Sequence, residues 1–341
     1  MLPSLMITLS CLGLSSLTQA HIVPIVPLGP APDTFDDAYL DCVDEMEKEA
    51  THLLQEEMAN HSLLQESWGA ATATWESRRR GLTLPLGFQT QHAVAIMVYT
   101  NSSNPLYREL NSAVRTMGSS REDYMKHFPF KALHFYLMRA LQMLRASESC
   151  QEGPGQEVFR GVSSLLFQPK QLGDVIRLGQ FTSTSEKKGV AQGFGNMTFF
   201  TMNTCFGVPI QALSVFPEEH EVLIPPHEIF LVSDFSQDGT RNLVTIRSLN
   251  RTCSHFNCAY LGGEKKEGCV SNPGESPVYF SPDWERKKVL DLSPDPTDPF
   301  PSLLFLTGQS WDALLPGSWP QLMPRTLLLP HGAFQLSGPV P

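Results

Sequence analysis

The chain of 341 residues holds no run of about 20 consecutive apolar residues, the length that a helix needs to cross a bilayer. It is short of basic residues as well: 25 Lys and Arg stand against 35 Asp and Glu, a formal net charge of -10. That balance excludes a broad polyanion-binding face, so nucleic acid is not an expected partner. Its one basic run, Arg78-Arg79-Arg80, is too short for such a footprint and reads as the solvated end of a helix. No internal repeat is present, which sets aside repeat architectures. A lipid-anchor signal would need a continuous apolar tail. The segment "LMPRTLLLPHGAFQLSGPVP" is broken by Pro324, Arg325, Pro330 and His331, so no stable membrane anchor is expected.

What is present points outside the cell. Residues 1–20 contain no acid and end on Ala20, the pattern of a cleaved secretory signal, with residues 21–33 as an N-terminal extension. Of the 7 cysteines, Cys11 leaves with the signal, and Cys42, Cys150, Cys205, Cys253, Cys258 and Cys269 remain as an even set. An oxidising compartment turns such a set into disulfides. A zinc site from Cys253, His255, Cys258 and Cys269 is the alternative, but its spacing matches zinc fingers poorly. Sequons at Asn60, Asn101, Asn196 and Asn250 fit an exported glycoprotein.

Two textures divide the chain. In the first half, residues 34–150, apolar spacing is helical: Phe35, Tyr39, Cys42, Met46 and Leu53 fall on one stripe, Leu64, Trp68, Ala71 and Trp75 on a second, Leu133, Leu137, Leu141 and Leu144 on a third. From there to residue 292 come short apolar or alternating runs: "EVFRG", "FTSTS", "MTFFTM", "IQALSVF", "EVLIP", "EIFLVSDF" and "NLVTIRSL". Gly, Pro, Asn and Asp separate them, which predicts a multistranded sheet with one helix near Lys187–Gly193. Helices followed by strands make the class α+β. Residues 293–341 hold ten of the 27 prolines, so regular structure is not expected there.

Three strand-half segments carry chemistry. Arg160 ends the run "EVFRG", where a buried guanidinium needs an acid or an anionic ligand. In "FTSTS", alternation places Thr182 and Thr184 on one face and Phe181, Ser183 and Ser185 on the other. In "FPEEHEVLIPPHE", Glu219 and Glu221 stand two apart, so on a strand both project to one face and His220 to the other. Two neighbouring carboxylates repel, which leaves one the more readily protonated. Such a pair suits a reaction that builds positive charge at a sugar carbon and accepts a proton from a nucleophile.

Taken in order, Arg160, then Ser183-Thr184-Ser185, then Glu219-His220-Glu221 resembles the R–S–E-x-E signature of the vertebrate arginine-specific ecto-ADP-ribosyltransferases. The words "FRGV", "FTSTS", "AQGFG" and "EVLIPP" are similar to that family's, and the resemblance extends over residues 34–292. It implies a catalytic domain with a helical lobe (34–150) and a two-sheet β core (151–292). The implied activity transfers ADP-ribose from the substrate NAD to arginine side chains of extracellular proteins, or to small guanidino acceptors, without a metal. Arg160 would anchor NAD, Ser183 would hold the nicotinamide ribose, and Glu221 would support the cation formed as nicotinamide leaves. Glu219 would position and help to deprotonate the acceptor. Phe194 would pack on nicotinamide, and Gly161 would let the backbone approach it. Tyr99, Gln180 and Ser214 are further candidates for adenosine and phosphate contacts.

The family pattern also implies the pairs Cys42–Cys258 and Cys150–Cys205, which leaves Cys253 with Cys269. Two other functions stay open on this sequence: an NAD glycohydrolase, and a silent secreted protein that binds NAD.

Overall fold

The computed structural model describes residues 23–145, 150 and 155–269. The expected signal, the proline-rich segment and residues 270–292 lie outside them. After a short strand β1 (Ile25–Pro27) come α1 (Val43–Asn60), α2 (Ser62–Arg78), α3 (Thr90–Thr100), α4 (Leu106–Thr116), α5 (Arg121–His127) and α6 (Lys131–Leu144). The strand-rich half follows with β2 (Gln156–Val162), β3 (Leu166–Gln168), β4 (Val175–Arg177), β5 (Thr182–Ser185), α7 (Lys188–Gly193), β6 (Thr198–Thr204) and β7 (Val208–Pro209). A 3₁₀ turn, Pro217–Glu219, then leads into β8 (Glu221–Ile224), β9 (Glu228–Asp238) and β10 (Arg241–Thr252). The α+β class therefore holds.

Eight strands form one mixed sheet in the order β4-β9-β10-β6-β2-β5-β8-β7, and β1 pairs with β3 in a second sheet of two. Within the large sheet β10 and β6 run parallel and the other neighbours antiparallel. Its two faces bury against different partners. Phe181 and Leu223 join the aromatic and aliphatic core of the helices, whereas Val158, Val222 and Ile224 join a second core with Phe200 and Phe230. The alternation of "EVLI" thus sends successive side chains to opposite faces. α3 is apolar all round and buried from His92 to Thr100, which makes it the central helix of its lobe.

Two expectations fail here. Phe35, Tyr39 and Cys42 are buried, but α1 begins after them at Val43. Tyr39 is left-handed at φ 54°, and its amide donates to Asp37 Oδ1 at 2.9 Å, which closes a turn rather than a helix. The run "IQALSVF" is a turn and not a strand: the amides of Leu213 and Ser214 both donate to the Ile210 carbonyl. Ile210, Leu213 and Val215 instead plug into the helical core.

Disulfides join Cys42 to Cys258, Cys150 to Cys205 and Cys253 to Cys269. Cys253, Cys258 and Cys269 are thereby engaged as disulfides, which removes the zinc alternative. Among the described residues, no cluster of His, Cys, Asp and Glu is arranged to hold a metal, and no helix is long and apolar enough to cross a membrane. A second tie accompanies the Cys42–Cys258 bond. Asp36 and Asp37 accept the amides of His255, Phe256, Cys258 and Ala259, and the fully buried Arg177 pairs with Asp36. Asn60, Asn196 and Asn250 are exposed, and Asn101 is partly exposed at the end of α3.

Candidate active site

β2, β5 and the start of β8 open onto a cleft walled on the helical side by α3 and α4. Arg160, Ser183, Glu219 and Glu221, from three places in the sequence, all line it, and so do Tyr99, Gly161 and Phe194. Sheet register brings them together: β5 lies between β2 and β8, with Phe159 and Glu221 both paired to Ser185. Arg160 Nη1 donates to the Ser183 carbonyl at 2.6 Å, which fixes the guanidinium across the strand junction.

The two glutamates are not neighbours on one strand, contrary to the alternation argument. Glu219 closes the 3₁₀ turn, His220 is left-handed at φ 47°, and Glu221 is the first residue of β8. The left-handed kink, not strand alternation, turns both carboxylates into one cleft. Three bonds hold that geometry: Ser185 Oγ donates to the Glu219 carbonyl at 2.7 Å, the Glu186 amide donates to the His220 carbonyl, and β8 pairs with β5.

The two carboxylates meet different electrostatic surroundings. Burial, reinforced by Glu221 and Glu218, pushes the Glu219 carboxyl up to about 7. Burial also raises Glu221, but hydrogen bonds from Ser183 and Ser214 and the charge of Arg160 oppose it. Glu221 is 5% exposed, and the Ser214 hydroxyl lies 3.3 Å from its Oε2. Burial lowers Arg160, opposed by Tyr99, Tyr107 and Glu221, and arginine remains a cation at neutral pH. Tyr99 is pushed up to about 12 by burial, so it stays a neutral donor.

Other expected residues sit differently. The Tyr99 hydroxyl donates to the Phe181 carbonyl at 2.9 Å and accepts from Asn111 Nδ2 at 3.1 Å, so it braces the start of β5 as well as lining the cleft. A Cβ on Gly161 would lie 2.2 Å from the Ala191 carbonyl oxygen and 2.3 Å from that of Gly195. Glycine is therefore required there by the close approach of the α7 turn, a reason other than backbone access for a ligand. Gln180 does not line the cleft and accepts from Arg115. Ser214 is fully buried behind Glu221. Arg78 is half-buried rather than solvated, and its Nη1 donates to the Ser214 carbonyl at 2.8 Å.

Sequence reading missed Thr100, Ser102 and Tyr107 as cleft residues, and Asn111 as the brace of Tyr99. They belong to helices or a helix end, where their polarity carries no signal until the lobes are docked.

Comparison with known proteins agrees with this geometry. Residues 28–254 match the family model described as NAD:arginine ADP-ribosyltransferase. The chain is 68% identical over 273 residues to ecto-ADP-ribosyltransferase 5 of Homo sapiens, covering 80% of this chain and 94% of that protein. To the Bos taurus ecto-ADP-ribosyltransferase 5 it is 52% identical over 342 residues, 98% of each chain. A solved structure of a mutant of the eukaryotic mono-ADP-ribosyltransferase ART2.2 in complex with NADH aligns with a TM-score of 0.60 at 34% identity, over 70% of this chain and all of that one. With a family model spanning most of its length and a cleft that unites the signature residues, the chain belongs to the NAD:arginine ADP-ribosyltransferase family.

Proposed function

We propose that this protein acts outside the cell as a mono-ADP-ribosyltransferase, moving ADP-ribose from NAD to arginine side chains with release of nicotinamide. One observation carries the reading: Arg160, Ser183 and the Glu219–Glu221 stretch converge on one cleft, where Ser183, Ser214 and Arg160 oppose the effect of burial on Glu221 and like charges add to it on Glu219.

NAD is the substrate, and the bond that breaks joins the nicotinamide nitrogen to ribose C1'. The bonding pair leaves with nicotinamide, and positive charge develops on the ribose. Glu221 stabilises that charge, which exists in the transition state and not in the ground state, so it accelerates the step rather than merely binding NAD. Arg160 offers a fixed guanidinium fork to the pyrophosphate side. Ser183 orients Glu221 and the nicotinamide ribose, Phe194 packs on the nicotinamide ring, and Tyr99 borders the dinucleotide. Ser214 acts through Glu221. Gln180 lies outside the cleft wall and takes a supporting role through Arg115. The acceptor guanidinium forms the new bond to C1' through a terminal nitrogen, and its proton passes to Glu219. A carboxyl with a pKa of about 7 is matched to proton transfer at neutral pH.

Water can intercept the same cation, so NAD hydrolysis accompanies transfer, and the retained Glu219 favours the arginine route. The acceptors are arginine-bearing extracellular proteins or small guanidino compounds. The three disulfides fit an oxidising compartment and support a protein released into the medium, with glycans at Asn60, Asn101, Asn196 and Asn250. Full-length protein made in secreting cells, incubated with NAD labelled in its adenylate half and with agmatine, is expected to give a labelled adduct and free nicotinamide. Neither product would refute the reading, and activity confined to the cell surface would refute free release.

A further inference from the structure

α2 ends on Arg78 and α3 ends on Thr100, and both helix ends grip one short piece of backbone. Arg78 Nη1 donates to the Ser214 carbonyl at 2.8 Å, and the Val215 amide donates to Thr100 Oγ1 at 3.1 Å. Ser214 turns its hydroxyl the other way, 3.3 Å from Glu221 Oε2, and Ser214 Oγ itself accepts the Phe216 amide. Leu213 and Val215 sink into the helical core on either side of it. Four residues beyond Val215 the chain reaches Glu219.

The two carboxylates are therefore anchored unequally. Glu221 lies in β8, with β5 on one side and β7 on the other. Glu219 lies outside the ladder, in a 3₁₀ turn held downstream by Ser185 and upstream by the Ser214–Val215 grip. A hydrogen bond from a guanidinium to a buried carbonyl is charge-assisted and strong for a single contact. Its loss would free the turn while leaving β8 paired.

We propose that Arg78 and Thr100 are positioning residues: by fixing the Ser214–Glu219 segment from the helical lobe, they set how the reaction divides between arginine and water. The inference rests on the transferase reading above. Attack by arginine needs Glu219 at the acceptor, whereas attack by water needs only the cation that Glu221 supports. Loosening the grip displaces Glu219 more than Glu221, so transfer suffers more than hydrolysis.

The test uses the full chain with Arg78→Met, Arg78→Lys and Thr100→Val, and measures nicotinamide release alongside agmatine adduct. Arg78→Met is expected to lower the adduct-to-hydrolysis ratio about tenfold, as befits one charge-assisted bond, with KM for NAD within about twofold. Arg78→Lys keeps one donor of the same charge and is expected to hold the ratio within about threefold of the parent. Thr100→Val, nearly the same shape, shifts the ratio the same way by a smaller factor. Amide exchange is expected to quicken across residues 214–219 while β8 stays protected.

An unchanged ratio in both Arg78→Met and Thr100→Val overturns the proposal, as does an Arg78→Lys loss equal to that of Arg78→Met. If Arg78→Met does not fold, Thr100→Val decides alone. A parent protein that releases no nicotinamide defeats the transferase reading instead, and the grip is then judged by amide exchange.

Discussion

Glu219 and Glu221 are two residues apart, and their surroundings differ. Glu219 has burial and two neighbouring carboxylates against it, which places it at about 7. Glu221, although more deeply buried, has Ser183, Ser214 and Arg160 to stabilise its charge. A proton acceptor works when ionised, so transfer to agmatine should rise as pH increases through about 7, following deprotonation of Glu219. Rates measured at saturating NAD across that range test this. Glu219→Gln should abolish the rise, and a wild-type profile flat through neutrality would contradict the assignment. Arg160 and Tyr99, which share the cleft with the pair, stay respectively charged and neutral through this range, so they do not add a limb of their own.

At the scale of the element, α6 depends on a neighbour to begin. Its N-cap residue Phe130 offers no side-chain hydrogen bond. Glu57 of α1 fills the gap, accepting the amides of Lys131 and Ala132. These are two of the first-turn donors that a helix cannot satisfy itself. Glu57→Ala should cost about 1–2 kcal/mol in urea unfolding, the usual magnitude for a lost cap, and Glu57→Gln, which keeps an acceptor, should cost less. Equal stability of all three proteins would show that the cap is immaterial.

The same scale shows what the sequence can reveal. The stripe of α2 was legible, because a helix packed on one side repeats its apolar positions every third or fourth residue; the leucine stripe of α6 was legible too, although α6 is buried on every side from Ala132 to Met138. The strand words "FTSTS", "EVLIP" and "EIFLVSDF" were legible through their alternation and their turn punctuation. "IQALSVF" looked like a strand because its apolar side chains are buried, but they are buried in the helical lobe, by a turn. Phe35, Tyr39 and Cys42 kept a helical rhythm for a similar reason: they face the core at that spacing while Tyr39 is left-handed. Local pattern reports burial; it does not report which backbone achieves it. Of the cleft, Arg160, Ser183, Glu219 and Glu221 were legible as a set, through their family resemblance. Helical contributors such as Tyr107, and the Arg78 contact, exist only once two distant segments meet.

At the scale of the whole molecule, the described residues are closed by ties between the segment before α1 and the segment after β10. Cys42–Cys258 links chain positions 216 residues apart. Beside it Arg177, fully buried, pairs with Asp36 and donates to the carbonyls of Pro30, Ala31 and Cys253. Thus the segment before α1, the strand β4 and the segment after β10 converge on one guanidinium. Asp36→Asn would leave that cation buried without its counter-charge, at a cost of about 3–5 kcal/mol. Urea unfolding should show the loss, with turnover per folded molecule unchanged, because this centre lies outside the cleft. Unaltered stability would mean that the carbonyls alone suffice.

The cleft joins both halves of this body: α3 and α4 supply one wall, and β2, β5, β8 and the 3₁₀ turn before β8 supply Arg160, Ser183, Glu221 and Glu219. The central claim is that the two carboxylates divide the work, Glu221 serving cleavage of NAD and Glu219 serving the arginine. Parallel measurement of nicotinamide release and agmatine adduct in the parent, Glu219→Gln and Glu221→Gln proteins tests it most directly. The account predicts that Glu219→Gln lowers adduct formation by about a hundredfold or more while nicotinamide release falls far less, and that Glu221→Gln abolishes both. Equal loss of the two products in Glu219→Gln, or nicotinamide release persisting in Glu221→Gln, would contradict it.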